Sequence, residues 1–228
     1  MGRERHNRLV NRIVERALRR AASTYARGDL IDIGCGDKPY AGLMRRYVSS
    51  HVGVDHEDTL HARTAIDLVG TAYAIPVADG SFDTALCTSV LEHLEEPEQA
   101  IRECHRVLAP DGVAIYTIPH IWHLHEEPRD FYRFTKHGIR YLFEKADFEV
   151  LEITALSGFW VTWGQMLAYY VERGNRGLLR RWHIIDAITL TIQLGAALLE
   201  KLDRPERWTW MYLVVARRPA ASPSLPDG

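Results

Sequence analysis

Apolar residues recur at helical spacing at the start of the chain. Val10, Ile13, Val14, Ala17, Leu18 and Ala21 fall on one face, and Arg5, Arg8, Arg12, Arg16 and Arg19 populate another. This pattern predicts a helix over residues 3–27. Its basic face is either the solvated outside of a helix covering a sheet, or a surface that meets an acidic substrate or lipid headgroups. Short apolar runs bounded by turn residues then alternate with helical stretches. Strands are predicted at Leu30–Ile33, His51–Asp55, Thr64–Leu68, Phe82–Thr88, Val113–Ile118 and Phe148–Ala155. Helices are predicted at Ala41–Tyr47, at Glu98–Leu108 behind Pro97, and up to Lys145 behind an N-cap at Thr135. Such alternation predicts an α/β fold whose parallel strands are covered on both faces.

The pattern changes after Ser157. Trp160–Val171 and Leu178–Leu202 read as strongly apolar helices, separated by a turn at Arg173-Gly174-Asn175-Arg176-Gly177. Trp208–Ala216 returns to a strand, and residues 218–228, rich in proline and small residues, read as a disordered tail. The chain is thus expected to form one domain over 1–217. The helical insertion at about 157–207 must bury its apolar surface, as a lid over an acceptor, a homodimer face or a membrane-seated pair of helices. Arg173, Arg176, Arg180 and Arg181 would suit an anionic membrane surface.

Composition narrows the picture. The 228 residues are 46% hydrophobic, enough for a full core, and the formal net charge is −2. That balance gives no basic footprint, so no nucleic acid is expected as the main partner. Cys35, Cys87 and Cys104 form no C-x-x-C pair. Their odd number, without an apolar leader, points to a reducing, cytoplasmic setting.

The chemistry starts at Leu30-Ile-Asp-Ile-Gly-Cys-Gly36. An apolar strand stops at a glycine turn, where missing β-carbons let backbone approach a ligand. The next run, Val52-Gly-Val-Asp55, brings a carboxylate to the same edge, placed to accept hydrogen bonds from a ribose diol. Asp37-Lys38-Pro39 stands where a dinucleotide-binding turn needs a third glycine, which argues against NAD.

These motifs resemble those of class I S-adenosylmethionine-dependent methyltransferases, of the group similar to ubiquinone/menaquinone-biosynthesis methyltransferases. Ala74-Ile-Pro76 with Asp79-Gly-Ser-Phe-Asp83, then Val90-Leu-Glu-His93 and Glu103–Gly112, continue the series in the family's order. The resemblance implies a Rossmann-like, seven-stranded, mostly parallel sheet with an antiparallel last strand, supplied by Trp208–Ala216. It implies S-adenosylmethionine as cofactor. Asp32, Gly34, Cys35 and Gly36 would face its methionine half, Asp55 its ribose, and Thr71 with Ala72 its adenine. Thr88 and Ser89 would line its other side, and Val90–His93 would open a helix beside the methyl-transfer cavity. Relatives commonly carry an acid where Thr71 stands; Asp67 lies nearby but four residues early.

The loop expected to cross the same rim, Pro119–Thr135, is the densest group of titratable and aromatic residues in the chain. It resembles a bacterial methyltransferase subgroup with a His-Glu-x-Pro-x-Asp-x-Tyr-Arg-like signature, linked to glycan and secondary-metabolite pathways. His125 is the first choice for a general base and His120 the second, with Tyr132 and Arg133 positioning the acceptor. The competing reading is an ion-pair network that pins the loop. His120, His123, His125 and Glu126 match no ligand template, so no metal is expected. His93 is read as facing the pocket. Cys35 and Cys87 are read as small fillers, and the Trp160, Trp163 and Tyr169 stripe as core. The function expected is methyl transfer to a small-molecule acceptor, an oxygen of a sugar or secondary metabolite. Carbon methylation of a quinone-like or lipid-linked acceptor and a non-catalytic cofactor-binding partner protein are the alternatives.

Overall fold

Among the described residues seven strands form one sheet, in the order β3-β2-β1-β4-β5-β7-β6. The computed structural model describes residues 5–58, 63–174 and 183–220. The strands are β1 (Asp29–Ile33), β2 (Ser50–Asp55), β3 (Leu68–Val69), β4 (Phe82–Thr88), β5 (Leu108–Pro119), β6 (Glu149–Ala155) and β7 (Met211–Arg217). The first five pair in parallel, whereas β7 runs antiparallel to both β5 and β6. This is the mostly parallel sheet with a reversed last strand that the motifs imply.

Alternation along each strand divides the core. Ile31, Ala85, Ala114 and Tyr116 face the layer that contains Ile101, Ile139 and Phe143. Leu30, Leu86, Val113 and Ile115 face the opposite layer, with Val10, Val14, Leu18, Val161 and Trp210. Helix α1 (Arg8–Tyr25) buries Val10, Val14, Leu18, Ala21 and Ala22, while Arg8, Arg12 and Arg16 are exposed. Helix α3 (Pro97–Val107) has proline in its first turn, where a missing N–H costs nothing. Helix α4 (Lys136–Lys145) is capped by Thr135, whose hydroxyl accepts the Gly138 N–H at 3.1 Å.

Several boundaries differ from the sequence expectation. The short helix α2 covers only Ala41–Met44. Residues 64–67 do not form a strand: Arg63–Ala65 is a 3-10 turn, and β3 starts at Leu68, because only Val54 and Asp55 offer it a ladder. Trp208 ends a 3-10 turn, Glu206–Trp208, and β7 begins three residues later. Arg218, assigned above to a disordered tail, is held: its guanidinium donates to the carbonyls of His105, Arg106 and Leu108.

The insertion supplies α5 (Phe159–Glu172) and α6 (Ile184–Leu199). They close on each other through small residues: a β-carbon on Gly164 would lie 2.6 Å from that of Ala196. That small-residue face, with Val161, Thr162, Gln165 and Ala168 buried, turns Trp160 and Trp163 outward, so these two are exposed rather than core. Gln165 Nε2 donates to the His6 carbonyl at 2.9 Å, and the Tyr169 hydroxyl bonds Asn7 Oδ1 at 2.5 Å, tying the insertion to the N-terminal segment. Residues 178–182 of the second predicted helix, with Arg176, Arg180 and Arg181, lie outside the described residues. Among the described residues no helix is long and apolar enough to cross a membrane.

Candidate functional site

The carboxyl ends of β1, β2, β3 and β4 lie side by side, and the chain leaves β1 and β4 in opposite directions. Such a switch point opens a crevice at the strand ends. Here it is a cleft of about 1140 Å³. Its lining includes Gly34–Gly36 after β1, Asp55 and His56 after β2, Gly70–Ala72 after β3, and Thr88–Val90 after β4.

Local geometry follows from residue type. Gly34 (φ 67°) and Gly36 (φ 48°) both occupy the left-handed region. A β-carbon on Gly34 would also meet Val90 Cγ2 at 2.5 Å. The amides of Gly34 and Cys35 both donate to the Val54 carbonyl, at 2.9 and 3.1 Å, folding the turn over the end of β2. Asp55 is buried; its Oδ2 accepts the Gly36 N–H and its Oδ1 the His56 N–H, each at 2.8 Å. Each oxygen keeps a second lone pair for a ligand.

Of the residues expected to hold the cofactor, Gly34, Cys35, Gly36, Asp55, Thr71, Ala72, Thr88, Ser89 and His93 all line this cleft. Asp32 does not. It lies beneath the turn, 2% exposed, with Oδ2 2.9 Å from His51 Nε2. Burial pushes its carboxyl up, while the His51 contact works the other way. Asp67 accepts the Gly53 N–H at 2.7 Å and pairs with Lys38, so it braces β2. Burial, chiefly, pushes the Cys35 thiol up to about 12, keeping it protonated near neutral pH.

Val90-Leu-Glu-His93 does not open a long helix. Leu91–His93 is a 3-10 turn, and α3 begins only at Pro97, because Leu94 and Glu96 leave helical geometry. The loop after β5 docks on that turn: the amides of Phe131 and Tyr132 donate to the Glu92 carbonyl at 2.9 and 3.2 Å. Glu126–Arg129 and Phe131 complete the cleft wall.

The four residues chosen as acid–base and positioning groups lie behind that wall rather than among the cleft-lining residues. Arg133 grips Asp130 through two nitrogens, at 2.6 and 2.8 Å, and donates to the carbonyls of Trp122, His123 and Tyr132. Its hydrogen bond holds the Asp130 carboxyl well below the usual range. Tyr132 Oη donates to the Glu95 carbonyl at 3.0 Å. His120 packs on Tyr212, with ring centres 5.6 Å apart. His125 sets its ring edge-on to His93 at 4.8 Å, with Nδ1 3.4 Å from Asp130 Oδ2. Burial first, and then His93, lowers the His125 pKa, which favours the neutral ring.

Three features were not read from the sequence. Asn7 and Asn11 reach the cleft from the N-terminal segment, and Tyr40 from the β1–α2 connection. Glu92 is 1% exposed, and neither carboxylate oxygen has a hydrogen-bond partner on another described residue. Burial pushes its carboxyl up to about 8. The insertion, read as a possible lid, contributes none of the described lining residues; the loop after β5 and the N-terminal segment cover the cleft.

Sheet order, glycine turn and paired acid together give the Rossmann-like fold of the class I methyltransferases. Residues 31–116 match the family model described as a methyltransferase domain. Over that part its similarity is to S-adenosylmethionine-dependent methyltransferases. It is similar to a probable S-adenosylmethionine-dependent methyltransferase of Mycolicibacterium smegmatis, 31% identical over 106 residues, covering 44% of this chain and 41% of that protein. A ubiquinone biosynthesis O-methyltransferase of Pseudomonas aeruginosa is 28% identical over 94 residues, covering 36% of this chain and 40% of the other. The chain thus spans less than half the length of these curated relatives. A putative methyltransferase from Bacillus halodurans shares the fold, with a TM-score of 0.61 at 16% identity, covering 90% of this chain and 99% of that one.

The site fits S-adenosylmethionine by its donor set. The cofactor carries no phosphate, and the turn lacks the third glycine a pyrophosphate requires. Asp55 supplies free lone pairs for vicinal hydroxyls, and Ala72, Val54 and Leu94 give the same cleft apolar surface beside them.

Proposed function

We propose that this protein transfers a methyl group from S-adenosylmethionine to a small-molecule acceptor, at an oxygen of a sugar or secondary metabolite. The bound cofactor supplies a sulfonium-activated methyl group, so the protein's task is to orient, exclude water and handle a proton. Asp55 would hold the ribose hydroxyls, the Gly34–Gly36 turn the methionine half, and Thr71 with Ala72 the adenine. Thr88 and Ser89 would support the opposite side.

One observation carries the assignment of the acceptor corner: His93 lines the cleft with the His125 ring set edge-on against it. A histidine in this position suits removal of a hydroxyl proton, with His125 acting from behind His93. Arg133, Tyr132 and Asp130 position that pair by fixing the loop. A ring carbon of a quinone-like or lipid-linked molecule is the second reading. It is favoured by the outward apolar faces of α5 and α6, where Trp163, Leu167, Leu194 and Leu198 are exposed. That face would serve peripheral membrane contact or a homodimer, in a cytoplasmic protein.

The test is calorimetry with S-adenosylhomocysteine, followed by tritium transfer from labelled donor across hydroxylated and quinone-like acceptors. Wild type should bind the product and label an acceptor. His93→Ala and His125→Ala should each lose about 10²- to 10⁴-fold in transfer rate, and His125→Ala, outside the cleft lining, should retain product affinity. Failure of folded wild type to take up S-adenosylhomocysteine overturns the reading.

A further inference from the structure

Glu92 poses a problem that methyl transfer alone does not address. A carboxyl removed from water without a hydrogen-bond partner costs several kcal/mol, and buried acids are normally hydrogen-bonded, paired or coordinated. Both Glu92 oxygens are buried and unpartnered by any other described residue. The nearby cation, Arg133, is spent on Asp130 and three carbonyls.

Two imidazoles face the same corner. His93 Nδ1 meets the Arg129 carbonyl, which fixes the proton on that nitrogen. The Nε2 lone pair is therefore free, and it lies 3.9 Å from Glu92 Oε1 and 3.7 Å from Glu126 Oε2. His125 Nδ1 lies 3.4 Å from both the buried Asp130 carboxylate and the Arg133 guanidinium, and coordination through Nε2 would turn Nδ1–H toward Asp130. A carboxylate or carbonyl behind each ring is the usual outer shell of metal-binding histidines. One donor atom from each of Glu92, His93 and His125 lies within 4.8 Å of the other two. Donors bound at about 2.0–2.2 Å to one ion stand roughly 3.5 Å apart, so a movement of about 1 Å closes the set.

We propose that Glu92, His93 and His125 bind one divalent first-row transition cation at the inner wall of the cleft, with Glu126 as a fourth, exchangeable ligand. Two imidazoles and a carboxylate suit zinc, manganese or iron(II) rather than calcium or magnesium. The site deepens the methyltransferase reading and rests on it only for its role. With the cation bound, the His93 and His125 lone pairs are coordinated rather than basic. The ion would hold an acceptor oxygen and stabilise it as its proton passes to solvent, replacing proton removal by the histidines. Sequence spacing conceals this set, because Glu92 and His93 belong to the turn after β4 and His125 to the loop after β5.

The test uses the full chain, stripped with chelator and desalted, titrated with Zn²⁺ by calorimetry and with Co²⁺ by visible absorption. One equivalent should bind. His93→Ala, His125→Ala and Glu92→Gln should each weaken binding at least about tenfold, and His123→Ala should leave it unchanged. Glu92→Gln keeps the side-chain shape, so it reports on the site even if an alanine variant fails to fold. No stoichiometric uptake, or equal uptake by wild type and all three ligand variants, overturns the proposal. S-adenosylhomocysteine uptake by stripped protein that takes no Zn²⁺ removes the metal alone. Zn²⁺ uptake without S-adenosylhomocysteine supports the metal and removes the methyltransferase reading.

Discussion

The backbone N–H of Gly36 donates to Asp55 Oδ2 at 2.8 Å, so the turn after β1 and the acid ending β2 are locked together at the cleft floor. Any change at either residue therefore moves both. Asp55→Ala removes the acceptor for two amides and the lone pairs offered to a ribose. With charged hydrogen bonds worth about 1.5–3 kcal/mol, S-adenosylhomocysteine affinity should fall roughly 10- to 100-fold by calorimetry. An unchanged Kd would show that Asp55 does not touch the ligand.

Gly34→Ala introduces a β-carbon at φ 67°, 2.5 Å from Val90 Cγ2. Backbone strain of about 1–3 kcal/mol should lower Tm by about 2–10 °C in scanning calorimetry. Combining it with Val90→Ala should restore the part due to the clash and leave the part due to φ.

Arg133→Ala strands a carboxylate: the Asp130 side chain is 2% exposed and loses its two-pronged partner. Urea unfolding should show a loss of about 3–5 kcal/mol. Arg133→Lys should recover only a fraction, since an ammonium cannot reproduce the fork. A destabilisation under about 1 kcal/mol would mean that Arg133 is not the loop's anchor.

Glu103 links α3 to the strand-connecting segment, accepting the Ile75 N–H at 2.6 Å and pairing with Arg106. The Arg106 hydrogen bond, against burial, holds its carboxyl below the ordinary value. A depressed folded pKa means stability that is present above the unfolded value and lost as pH falls through the folded one. Wild type should therefore lose on the order of 1 kcal/mol more than Glu103→Gln between neutral pH and about pH 3. Parallel pH profiles from urea titrations would contradict this.

Local pattern carried much of the fold. Apolar runs and their turn residues set the central strands because these are buried on both faces, and Phe82–Thr88 falls on the observed β4 residue for residue. Short elements were less legible: residues 64–68 have strand-like composition, yet their fate depends on how far β2 extends beside them. The Trp160 and Trp163 stripe was misread for a related reason. Helical spacing states that residues share a face, not which face meets a neighbour, and Gly164 with Ala196 decided that.

By itself, the sequence determined the glycine turn, the acid that ends β2 and hence the chemistry of the cleft floor, because those contacts join segments whose geometry is local. Only the tertiary structure decided the wall. Docking of the loop after β5 on Leu91–His93 places Arg133 in support, sets His125 against His93 and buries Glu92 beside both. Distances between residues thirty positions apart depend on how the chain returns across the sheet, and no spacing along the chain encodes that.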